Sequence, residues 1–139
     1  MDNYVTVGGL IVDRLKEKLP DLLRIEFIWG KNAIREASDI VPSLMVFLEM
    51  DVPGQSSPDG REHTVEQQWA VVLVTRDSEG EAGPLISKMI SALAGWRPQS
   101  GRFSSLKRVQ SSHVPEWSAN GVLYFPVVFS TGFVFNVSD

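Results

Sequence analysis

The stretch Tyr124–Phe135, YFPVVFSTGFVF, decides how the chain folds. Extended back to Val122, it reads as a long strand. Strand side chains alternate between faces. Leu123, Phe125, Val127, Phe129, Thr131, Phe133 and Phe135 therefore share one aromatic face. Val122, Tyr124, Pro126, Val128, Ser130, Gly132 and Val134 form a smaller, mixed one. Full burial of each phenylalanine contributes ~1.5–3 kcal/mol, so this strand is expected to be a main support of the core. Two residues disturb the pattern. Pro126 cannot donate a ladder hydrogen bond, which confines it to an edge, a bulge or a strand start. Gly132 is a common bulge residue. The expectation is a strand bent at two places or lying along the sheet edge. A long apolar edge invites aggregation, and a partner subunit would cover it, so the strand is expected in or beside a subunit interface.

Upstream, Val7, Leu10, Ile11, Leu15 and Leu19 follow helical spacing, with Asn3 or Thr6 as cap and Pro20 after the end. Gly8 and Gly9 lie near the helix start, which suggests either that the helix begins close to Thr6 or that it touches the sheet closely there. Residues 22–30 alternate Leu23, Ile25, Phe27 and Trp29 as a strand. The segment 31–42 is polar and reads as loop or a short helical turn. Residues 43–52 and 63–77 read as two strands of a long hairpin, and the second runs from a wet region into a covered one. Pro53–Glu62 between them, rich in Pro, Gly and Ser, reads as a large mobile tip. Glu79–Trp96 carries a helical stripe of Leu85, Ile86, Met89, Ile90 and Leu93, with Pro84 in its first turn and Gly95 at its end. Phe103–Gln110 is a short basic strand. The order α-β-β-β-α-β-β predicts an α+β fold: a mostly antiparallel sheet of about five strands with two helices packed on one face. One domain spanning 1–139 is expected.

The chain has 139 residues, a formal net charge of -4 and no cysteine. The length suits one ordinary core. The acidic balance argues against a protein that coats phosphate backbones. Without cysteine there are no disulfides, thiolate metal sites or thiol nucleophiles. No apolar run reaches the ~20 residues of a membrane helix, so the expectation is a soluble protein made or assembled in the cytoplasm, with no direct membrane partner and no sequence-specific nucleic-acid binding.

The residues offer little chemistry. His63 and His113 lack a second ligand at metal spacing. Ser111, Ser112, His113 and Glu116 are neighbours in sequence, whereas catalytic triads are assembled by the fold. Val7–Leu10, VGGL, lacks the spacing and the lysine of a phosphate loop. Glu49 and Asp51, two apart on a strand, are expected to share a face as a solvated pair. No catalytic, metal or cofactor site is expected. Trp96 either closes the second helix over the core or serves an interface.

Taken together, LIVDRLKEKLP, VPSLMVFLE, the charged loop, WAVVLVTRD, GPLISKMISALAGWRP and GVLYFPVVFSTGFVF resemble the tail terminator proteins of tailed bacteriophages, Mu-like and related, over nearly the whole chain. The resemblance implies a virion structural protein that needs no cofactor. Such a subunit would form a six-fold ring on the head-proximal end of the tail tube, stop its polymerisation and present the surface for head joining. Its implied partners are itself, the tube protein and a neck or head-completion protein. A head-to-tail ring needs two complementary surfaces per subunit. Acidic Asp59, Glu62 and Glu66, with Arg61 among them, and basic Arg97, Arg102, Lys107 and Arg108 are candidates, with Pro126 on the last strand. On residues alone, a ferredoxin-like ligand-binding module, another neck or connector subunit, and a small hydrolase or transferase stay open.

Overall fold

The computed structural model describes residues 3–29, 40–76, 80–99 and 101–137. Two helices, α1 (Thr6–Lys18) and α2 (Ala82–Leu93), pack on one face of a six-stranded sheet. Its strands are β1 (Arg24–Phe27), β2 (Ser43–Ser56), β3 (Glu62–Thr75), β4 (Lys107–Val109), β5 (Glu116–Trp117) and β6 (Leu123–Asn136). The order across the sheet is β1-β2-β3-β6-β4, and β5 joins β6 beyond β4. Only the β1–β2 pair is parallel. The expected architecture holds, with one more strand than expected: the two-residue β5. Most of the segment 31–42 lies outside the described residues.

The aromatic face of β6 does what its alternation requires. Leu123, Val127, Phe129 and Phe133 are buried under the helices, with Phe125 and Phe135 at the margin. Trp69, Val71 and Leu73 of β3 and Leu44 and Val46 of β2 complete the same layer. From the helices come Val7, Ile11, Leu15, Met89 and Leu93. The opposite face carries a second, smaller core of Met45, Phe47, Ala70, Val72, Val74, Val122 and Val128. This double burial explains why β3 turns apolar on both faces in its second half.

The placement of β6 corrects the expectation drawn from Pro126 and Gly132. β6 lies inside the sheet, between β3 and the β4/β5 pair, and its register with β3 is unbroken from Glu62↔Asn136 to Thr75↔Leu123. It is neither an edge strand nor bulged. In an antiparallel pair, backbone groups point alternately toward and away from a given neighbour. Gly132 uses both of its groups on the outer side: its N–H donates to Ser104 Oγ (2.8 Å) and its C=O accepts from Ser104 N–H (3.0 Å). Pro126, six residues earlier with no register shift, aims its nitrogen the same way. There β6 has no partner strand, because β4 covers Val128–Ser130 and β5 covers Leu123–Tyr124. The proline sits in the gap and removes no bond from the β3 ladder.

Helix α1 lacks a side-chain cap; the Asn3 side chain accepts from Val5 N–H, and Thr6 Oγ1 donates to the Asn3 carbonyl. The close helix–sheet contact suggested by the glycines is real at Gly8 and absent at Gly9. A Cβ on Gly8 would overlap the Phe27 ring and stand 2.6 Å from Trp69 Cζ3, whereas one on Gly9 would meet open space. Gly8→Ala is therefore expected to destabilise the protein by about 1–3 kcal/mol through overpacking. Gly9→Ala should stabilise it by about 0.4–1 kcal/mol through the unfolded chain. Urea unfolding of the two variants checks the opposite signs.

Candidate assembly interface

Beyond the helices, β2, β3 and β6 continue as a three-stranded arm. On its helix side Tyr4 packs edge-on against Phe133 and Phe135, at 5.6 and 5.4 Å between centroids. Gln67 is fully buried beneath this junction. Its amide donates to the Tyr4 carbonyl and to Asp51 Oδ1 (both 3.2 Å), while its oxygen accepts from Trp69 Nε1–H (3.2 Å). The Tyr4 hydroxyl donates to Asp51 Oδ2 (3.1 Å). Burial, then the hydrogen bond to Asp51 and its charge, push the Tyr4 phenol up to about 12. The network ties the start of α1 to the root of the arm. Sequence reading missed Gln67: its position shares the buried face of Val65 and Trp69, but its polar side chain gives no sign of the partners that satisfy it.

Asp51 belongs to this network because of a bulge. The β2–β3 register shifts between Leu48 and Met50, leaving Glu49 as the extra residue. Before the shift, Leu44, Val46 and Leu48 face the helices; after it, Asp51 does. Glu49 and Asp51 thus lie on opposite faces, contrary to their expected pairing. Glu49 instead anchors the segment 110–122, which crosses the second core. Ser112 Oγ donates to Glu49 Oε1 (2.6 Å), and His113 Nε2 stands 3.1 Å from the same oxygen. The fold does bring serine, histidine and a carboxylate together. However, the hydroxyl donates to the carboxylate rather than to the imidazole, so the serine–histidine contact of a triad is not made. The cluster is a clasp. Among the described residues no group of three or more metal-ligating side chains occurs.

The hairpin tip also differs from the expected large mobile loop. β2 continues to Ser56, and the turn is small and hydrogen-bonded. Ser57 N–H donates to the Glu62 carbonyl (2.7 Å) and Gly60 N–H to the Ser57 carbonyl (2.9 Å). Asp59 Oδ1 accepts from Ser57 Oγ (2.7 Å) and Arg61 N–H (3.1 Å), which lowers the Asp59 carboxyl below its ordinary value. Arg61 joins the turn to the end of β6, since its carbonyl accepts from Val137 N–H.

The other expected interface residues are distributed rather than joined in one patch. Asp59, Arg61 and Glu62 occupy the turn. Glu66 lies opposite Gly132 on the arm face away from the helices. Lys107, opposite Ser130, shares that face, whereas Arg108, opposite Phe129, points to the helix side. Arg97 is exposed after α2, and Arg102 stacks over Phe103 with a bond to Gln99 Oε1. Trp96 packs against the core, with the Arg14 guanidinium over its ring.

The arm face away from the helices was not anticipated. Met50 (49 % exposed), Val52 (39 %) and Val134 (48 %) lie on it, interleaved with Thr64, Glu66, Gln68 and Gly132. A flat sheet face with apolar side chains left in water is the kind of surface that partners cover. Each of these residues looks ordinary in sequence; only the register after the Glu49 bulge aligns Met50 and Val52 with Val134.

Among the described residues the arm combines an apolar face with a pinned root. The chain belongs to the phage tail terminator protein family, whose model matches residues 1–138. It is thus a structural, non-enzymatic component of the bacteriophage tail, where the family terminates the tail tube. No curated protein matches it.

Two outcomes follow for the arm. Gln67→Leu strands Trp69 Nε1–H and the Tyr4 carbonyl, and is expected to cost about 1–3 kcal/mol by thermal or urea unfolding. The lowered Asp59 carboxyl stabilises the turn above the ordinary aspartate pKa of about 4, and that contribution disappears as pH falls through the lower folded value. The small stability gap between the wild type and Asp59→Asn should therefore close in acid, as urea unfolding across pH would record.

Proposed function

We propose that copies of this chain close into a ring, six-fold as in the family resemblance, on the head-proximal end of the tail tube. There the ring ends tube growth and offers the seat for a neck or head-completion protein. The exposed face bearing Met50, Val52 and Val134 carries this reading, because it gives the subunit an apolar surface that the monomer leaves wet. Its charged neighbours Glu66 and Lys107, the turn residues Asp59, Arg61 and Glu62, and Arg97, Arg102 and Arg108 supply charge that orients the contact. Exposed pairs contribute only ~0–1 kcal/mol each, so they select register more than they hold the ring. Pro126 takes part indirectly, by leaving the outer side of β6 open between β4 and β5.

The face stands apart from the helices, so a neighbour or the tube rim can cover it without disturbing the core. Burying three half-exposed apolar side chains over several copies adds up, since hydrophobic gain scales with area.

Negative-stain microscopy of the chain mixed with its polymerising tube protein tests the proposal. Regular caps and shortened tubes are expected. Val52→Glu combined with Val134→Glu should abolish capping while leaving the melting temperature within a few degrees, since both side chains are exposed. Unchanged tube length with the double variant would remove the arm face from the mechanism.

A further inference from the structure

On the helical side, at some distance from the arm, Arg14 and Lys18 of α1 face Lys88 of α2 across an open groove of about 400 Å³ that Ser87, Ser91 and Ala92 complete. Three cations converge there in a chain whose net charge is -4. Like charges at i and i+4 on a helix, as Arg14 and Lys18 are, destabilise it by a few tenths of a kcal/mol. Among the described residues no carboxylate lies within ion-pair distance of Lys18 or Lys88. The negative end of the α1 dipole accounts for Lys18 in the last turn. It does not account for Lys88, which lies mid-helix on α2. Arg14 is held in place: its Nε–H donates to the Ala92 carbonyl (3.0 Å) and its guanidinium stacks on Trp96 at 5.3 Å. That holds the guanidinium in place beside the groove it helps to line. Ser87 and Ser91, one turn apart, add two hydroxyl donors.

We infer that this groove binds an acidic segment of another polypeptide, with carboxylates received by Arg14, Lys18 and Lys88 and by the two serine hydroxyls. A polypeptide is favoured over a nucleic acid because a groove one or two helical turns long offers few phosphate contacts, and neutralising many phosphates is what sustains nucleic-acid affinity. The groove and the arm face are separate surfaces, so one subunit can meet two partners at once. The inference does not rest on tube capping, and it is tested on the free chain.

The experiment uses the full chain, isotope-labelled for amide NMR and titrated at low salt with a synthetic peptide of alternating glutamate and alanine. Saturable shifts centred on Arg14, Lys18, Ser87, Lys88 and Ser91 are expected, weakening as salt screens the charges. Lys18→Glu combined with Lys88→Glu should reduce the affinity on the order of tenfold or more, with the melting temperature within a few degrees of wild type, because both side chains are exposed. Lys18→Arg with Lys88→Arg should retain binding. Absence of binding, shifts mapping elsewhere, or no loss in the double glutamate variant would overturn the inference. So would a short DNA duplex or inorganic phosphate shifting the same residues as strongly as the peptide. Tube-capping assays of the same variants read the arm separately, so loss of capping by the wild type would leave the groove result standing.

Discussion

The unbroken ladder between β3 and β6 is the constraint on which the rest of the structure depends. Fourteen-residue strands paired without a register shift leave no residue free to change face. Every odd position from Leu123 to Phe135 must turn to the helices, and every even position away from them. That parity seats Phe129 and Phe133 under α1 and α2 and assigns Val128 to the second core. It also sends the Pro126 nitrogen outward, where a missing donor is harmless. β2, by contrast, is allowed its bulge at Glu49. That single extra residue turns Asp51 toward Tyr4 and Gln67 and brings Met50 and Val52 into line with Val134. A rigid central pair and one adjustable outer strand thus produce both the pinned root of the arm and its apolar face.

Much of this was legible in the residues. Alternation in Val122–Phe135 is strong because Phe125, Phe129, Phe133 and Phe135 all stand at odd positions, and the helices announce themselves through Ile11, Leu15, Met89 and Leu93. The errors share a cause. A proline signals that a donor is missing but not which side of the strand has lost it, so Pro126 looked like an edge. Glu49 and Asp51 have the spacing of a shared face, and nothing local marks the bulge between them. The turn at Ser57–Arg61 is stabilised by side-chain bonds to its own backbone, from residues whose composition equally suits a loop. Gln67 is polar in type and buried in fact, and two of its three partners, Tyr4 and Asp51, come from distant parts of the chain.

The site was less legible than the fold for a related reason. Assembly surfaces need no unusual residue types, only ordinary ones brought side by side. Arg14 and Lys88 are more than seventy positions apart, yet they meet because α1 and α2 pack together on the sheet. Met50 and Val134 face the same solvent for reasons of register alone. The cluster of Ser112, His113 and Glu49 makes the complementary point. Residue types associated with catalysis converge there, and the direction of one hydroxyl makes them a structural fastening over the second core. For a tail terminator, whose work is contact, such fastenings hold surfaces in shape.

The bond from Val137 N–H to the Arg61 carbonyl has a practical consequence for handling the protein. It ties the end of β6 to the hairpin turn, so a peptide added beyond Val137 departs from the tip of the arm. Tyr4 packs on the same arm, so an extension ahead of Asn3 starts close by. An affinity tag or fluorescent label at either end would crowd the arm and its proposed contact face. The small turn at Ser118–Gly121, beside the opposite end of β6, is the better position for a label. A reporter inserted there leaves the arm clear.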